Sequence, residues 1–160
     1  MYIPEIPNNG LKTQLEELVC IARKAANESE EIRLKFVFNS PATDEEIKVL
    51  EQTLNVSLPL GYREFLLFSN GAQLCGHTAE FENINSVIDM NETKITLGFP
   101  SKYIAIASFI GDGELLCFSK ETGGFIRWFD GNETYFDTFY DLFEMIIRRI
   151  KSKVEDYIDL

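Results

Sequence analysis

At 160 residues, with 45% hydrophobic content and thirteen Phe, the chain suffices for one domain with a substantial core and is too apolar for disorder. Its 26 Asp and Glu against 15 Lys and Arg give a formal net charge of −11, which argues against direct nucleic-acid binding and either favours a basic partner or serves solubility alone. Cys20, Cys75 and Cys117 are scattered without a Cys-x-x-Cys pair and there is one His, so neither a disulfide nor a zinc framework is expected.

In chain order, Leu11, Leu15, Leu18, Val19, Ala22 and Ala25 recur at helical spacing and predict an amphipathic helix over 11–27, broken by Asn-Glu-Ser-Glu-Glu. Leu34, Phe36 and Phe38 alternate with Lys35 and Val37, which suggests a strand or extended arm before Pro41. Thr43 and Glu46 form a capping box for a second helix, with Asp44 and Glu45 at its positive pole and Ile47, Leu50 and Leu54 on its buried stripe, ending near Asn55. Pro59 suits the first position of a third helix, carried on by Tyr62, Phe65, Leu66 and Ser69 and stopped at Asn70-Gly71.

Beyond Gly71 the period shifts to alternation. Strands are predicted at Phe81–Val87, Ile95–Leu97, Tyr103–Ser108, Glu114–Ser119 and Phe125–Phe129, the last two paired as a hairpin through Lys120-Glu121-Thr122-Gly123-Gly124. From Asp137, a suitable cap, Phe139, Leu142, Phe143, Ile146 and Ile150 line one face of a long helix, with Arg148, Arg149, Lys151 and Lys153 placed to offset the dipole at its end. The expectation is an α+β fold over 1–160: N-terminal helices, a central antiparallel-rich twisted sheet, and a C-terminal helix packed on one face.

The order Ala-Thr-x-Glu-Glu-Ile, Leu-Pro, Tyr-Arg-Glu-Phe-Leu and Asn-Gly between Ala42 and Gly71 resembles the SUKH superfamily, which includes bacterial immunity proteins and the fungal cell-wall assembly regulator. Tyr103 to Phe118, with Gly-Asp-Gly at 111–113, resembles the family's paired strands, and Asp137 to Ile150 resembles its closing helix. The resemblance covers most of 42–150; the first forty residues and 76–100 show little of it. It implies a non-catalytic module that binds a protein partner, in the immunity case a toxin domain that is often a nuclease. A regulatory scaffold is the alternative it implies.

The residues themselves offer little chemistry. Gly111-Asp112-Gly113-Glu114 reads as a strand turn, because an oxygen-ligated cation needs more ligands. His77, near Glu80 and Glu82, lacks a second nitrogen ligand and reads as a solvated loop residue. No nucleophile elbow or phosphate-cradling glycine loop is present, so neither a cofactor nor catalysis is expected. Trp128 shares a strand face with Ile126 and reads as core, while Phe125, Arg127 and Phe129 share the other face. The predicted partner surface is acidic: Glu80, Glu82, Asp112, Glu114 and Asp130, facing a basic toxin domain. With no basic-then-apolar leader and no apolar run near the roughly 18 residues of a membrane span, a cytoplasmic location is expected; Asn-x-Thr triplets such as Asn91-Glu92-Thr93 would matter only on a secreted chain.

Overall fold

A computed structural model describes residues 1–96, 99–111 and 113–158. The elements run α1 (Lys12–Glu28), a 3-10 turn (Ile32–Leu34), β1 (Val37–Phe38), α2 (Asp44–Leu54), α3 (Leu60–Leu66), β2 (Ala72–Leu74) and β3 (Ala79–Phe81). They continue with α4 (Ile84–Thr96), β4 (Tyr103–Phe109), β5 (Glu114–Ser119), β6 (Phe125–Phe129), β7 (Asn132–Phe136) and α5 (Phe139–Ile158). The seven strands form one antiparallel sheet in sequence order. This is the expected α+β arrangement, closed by the C-terminal helix.

Both sides of the predicted capping box are formed: the Glu46 amide donates to Thr43 Oγ1 at 3.1 Å, and the Thr43 amide donates to Glu46 Oε1 at 3.1 Å. Asn55 ends α2 in the left-handed conformation, φ 52°. Pro59 stands one residue before α3 as its cap and not inside it, and α3 tightens after Leu66, where the Phe68 amide bonds Phe65 O at 3.0 Å.

The main core lies between one sheet face and the helices. Phe65, Phe81, Phe139 and Phe143 stack there with centroids 4.5–6.4 Å apart, joined by the buried stripes of α1 and α5. α3 approaches α5 closely enough that a Cβ on Gly61 would stand 2.6 Å from Phe139 Cβ. Phe125, Leu116 and Phe118 point into this core, whereas Ile126, Leu115 and Cys117 point to the opposite face, as the two-residue period requires. There they form a second, smaller cluster with Phe99, Tyr103 and Ala105.

Several predicted elements are corrected. Phe81–Val87 is not a strand: β3 ends at Phe81, and Asn83 Oδ1 accepts the Ser86 amide at 2.9 Å to start α4, whose Ile84 and Val87 are buried at helical spacing. Ile95 and Thr96 belong to α4, and Leu97 lies outside the described residues. Of the arm before Pro41, only Val37 and Phe38 pair, with Gln73 and Ala72. Strands β2 and β7, and β3 apart from Phe81, are additional to the predicted elements.

Thr138, not Asp137, caps α5, accepting the Asp141 amide at 3.2 Å. That helix runs on to Ile158 with no basic residue in its last turn, so Arg148 to Lys153 do not offset its C-terminal dipole. Cys75 and Cys117 are buried but Cys20 is exposed, and all three are free of disulfides. Trp128 is half-buried, edge-on to Phe99 at 5.3 Å, and so only partly a core residue. Asn91 is 3% exposed, so its Asn-x-Thr triplet is inaccessible to modification in the folded chain.

Candidate protein-docking surface

Register places one row of side chains across the face opposite the main core: Val37, Gln73, Glu80, Ser108, Leu115, Trp128 and Glu133, each paired with the next. Leu115 is buried in the small cluster with Phe99 and Trp128, Val37 is exposed, and the others in the row are half-buried.

On the β3 side of that cluster stand Glu80 and, just past the strand, Glu82, whose amide bonds Ile106 O at 3.1 Å. Burial, and then the negative charge of Glu80, push the Glu82 carboxyl above its ordinary value. His77 Nδ1, on a largely exposed side chain, is 3.8 Å from Glu80 Oε2. Neither carboxylate has a Lys or Arg ion-pair partner among the described residues.

At the β7 edge, Tyr103 and Tyr135 both donate their hydroxyls to Glu133 Oε2, the former at 3.0 Å. The Tyr135 hydrogen bond is the main reason the Glu133 carboxyl is held low, and the same bond pushes Tyr135 up to about 12. Lys102 Nζ lies 5.0 Å from the Tyr103 ring centroid. Tyr135 remains 69% exposed and Phe129, on the opposite face, 43% exposed. The hairpin carrying them turns at Asp130 and Gly131, with φ 48° and 82°, the pair of positive values a two-residue type I′ turn demands.

The five predicted partner residues therefore do not make one surface. Glu80 and Glu82 stand together, and Asp130 is exposed at the tip of the β6–β7 turn. Glu114 is on the main-core face: Arg127 Nε donates to its Oε2 at 2.7 Å while the guanidinium lies over the Phe109 ring at 4.8 Å, which neutralises that carboxylate from within. Asp112 lies outside the described residues. Glu133, Tyr103 and Tyr135 are absent from the predicted set, although Asp130-Gly131 after an aromatic strand is a hairpin signal for the strand that carries Glu133 and Tyr135.

Burial raises the Cys75 thiol and keeps it an uncharged filler. Among the described residues no three His, Cys, Asp or Glu side chains converge as metal ligands, and no helix is long and apolar enough to cross a membrane.

Comparison with known proteins gives two findings. The chain is similar to the uncharacterized protein YnaB of Bacillus subtilis (strain 168), 29% identical over 125 residues that cover 78% of this chain and 79% of that one. The profile of the SMI1 / KNR4 family (SUKH-1) matches residues 41–148, the stretch from the helix-capping motif to the closing helix. On that match the chain belongs to the SMI1 / KNR4 (SUKH-1) family.

Proposed function

We propose that this chain is a non-catalytic binding module, an immunity protein that covers a basic toxin domain, a nuclease being the class whose phosphate-binding surface best complements it. The observation that carries the reading is the Glu80–Glu82 pair: two half-buried carboxylates two residues apart, Glu82 raised first by burial and then by Glu80, with only the exposed His77 near Glu80 and no Lys or Arg ion-pair partner among the described residues. A free protein gains nothing from such an arrangement, since like charges in a partly buried setting repel. A Lys or Arg brought by a partner would relieve it, and the net charge of −11 would speed the encounter.

Covering a nuclease needs no reactive group on the inhibitor. It needs shape, charge and a few anchors at the rim of the partner's basic surface. Membership in a family that includes SUKH-type sequences supports the binding role, and the acid pair supports the sign of the partner's charge. The test is co-expression in bacteria with toxin domains encoded beside the gene. Wild type is expected to restore growth, and the double substitution Glu80→Gln with Glu82→Gln is expected to weaken that protection. Equal protection by the double variant would refute the acid pair as the carrier, and no protection by wild type against any basic domain would refute immunity.

A further inference from the structure

We infer that the outer edge of β7 receives an extended, basic segment of the partner as an additional strand, a mode of docking that rests on the protein-binding reading above. β7 is the last strand of the sheet and pairs on one side only, with β6. A two-residue type I′ turn makes the residues flanking it, Phe129 and Asn132, a doubly hydrogen-bonded pair, and pairs then alternate. Asn132, Thr134 and Phe136 consequently spend their backbone groups on β6. The amides and carbonyls of Glu133 and Tyr135 point outward, and among the described residues no bond from outside the sheet reaches them.

Exposed edges are ordinarily blunted by charged side chains, Lys above all, or by Pro, a bulge or extreme shortness. β7 has one charge, Glu133, held by the Tyr103 and Tyr135 hydroxyls, and no Lys, Pro or bulge: five residues, Asn-Glu-Thr-Tyr-Phe, in unbroken register with β6. β1, the opposite edge, is only two residues long. The β7 edge is also flanked by exposed aromatic surface, Phe129 on one face and Tyr135 on the other. Main-chain bonds would supply the affinity and these rings the anchors, as in strand addition generally.

Charge decides the occupant. From Phe129 to Asp137 the chain carries Asp130, Glu133 and Asp137 and no Lys or Arg. A second copy would set like charges along the new strand pair, at a net −11 on each molecule, whereas a strand bearing Lys or Arg beside Glu133 would complement it. Glu133 is already oriented for this by Tyr103 and Tyr135.

Proline at Tyr135 deletes one outward amide while leaving the bonds to β6 intact, which is where sheets tolerate it. Tyr135→Ala removes the same ring and keeps the amide, so the comparison isolates the main-chain bond. In complex with the toxin domain selected by growth rescue, Tyr135→Pro is expected to bind roughly tenfold or more weakly than Tyr135→Ala, with both variants melting as cooperatively as wild type. Equal affinity of the two variants overturns strand addition while leaving the immunity reading standing. Self-association of the wild type that Tyr135→Pro abolishes, read by sedimentation, overturns the basic partner in favour of a second copy. Failure of wild type to bind any basic domain overturns both. If Tyr135→Pro melts early, Glu133→Pro against Glu133→Ala repeats the comparison at the other outward amide: weaker binding by the proline variant supports strand addition, and equal binding overturns it.

Discussion

Replacing Asn91 by Ala should destabilise the protein far more than loss of one polar side chain on a helix suggests. Asn91 Nδ2 donates to Val87 O at 2.7 Å and to Ala105 O at 2.8 Å, and its Oδ1 accepts the Ala105 amide at 2.8 Å. The side chain thus pairs with β4 as another strand would, beside the register shift between Ala105 and Ala107. Ala105 is fully buried, so truncation leaves its amide and carbonyl without these partners, each at about 1–3 kcal/mol. Val87 O retains its place in the helix, and Ala regains roughly 0.6 kcal/mol of helix propensity. The net loss is about 1.5–5 kcal/mol, a fall in Tm of roughly 3–20 °C for a chain of this size. Urea unfolding of wild type and Asn91→Ala measures it, with the m-value unchanged. A loss below about 1 kcal/mol would mean that Ala105 finds other partners and that Asn91 does not hold α4 to the sheet. Asn91→Asp sharpens the test: it keeps the acceptor, loses the donor and buries a charge, so it should be worse near neutral pH and recover in part when acid protonates the carboxyl.

Two further outcomes follow from the packing and the electrostatics. Gly61→Ala should lose about 1 kcal/mol or more in thermal unfolding despite better helix propensity, because the new methyl would meet the Phe139 Cβ at 2.6 Å and force α3 from α5; a gain in stability would refute that contact. The Glu82 carboxyl is raised in the folded state, so between its ordinary value and the raised one the folded protein binds the extra proton, and its stability penalty is full above that window and vanishes below it. Glu82→Gln should therefore melt higher than wild type near pH 7, with the gain shrinking toward pH 4; a variant that melts lower at pH 7 contradicts the repulsion.

The helices are legible in the sequence wherever local chemistry and long-range packing agree. The Thr43–Glu46 box needs no tertiary context, and the stripe of α5 repeats over several turns, so both are readable from spacing alone. β5 and β6 are readable in full because aromatic and branched residues fill both of their faces, each of which is packed. β7 is not readable from periodicity, since a solvent-facing edge strand of Asn, Glu and Thr has no apolar alternation to detect, and only the Asp130-Gly131 turn signal marks it. α4 is mistaken for a strand because Phe81 and Val87 belong to different elements, and only the Asn83 cap between them marks the boundary.

The site is legible in sign but not in position. Glu80 aligns with Ser108 and then Leu115, while Glu114, one residue before Leu115, falls on the opposite face. Nothing in composition fixes that parity, because register is a property of the paired strands and not of either one. The internal pairing of Glu114 with Arg127 is hidden for the same reason: Arg127 aligns with Leu116, on the face of Glu114, only once β5 and β6 are in register.

The most direct test of a charge-driven binding role is the dissociation constant of the complex with its toxin domain, measured across sodium chloride from low to moderate concentration. Docking of a basic surface on Glu80 and Glu82 beside β3 and on Glu133 of β7 predicts affinity that falls steadily as salt rises, with a shallower slope for the Glu80→Gln and Glu82→Gln double variant. Affinity that stays flat across that range in both proteins would contradict it.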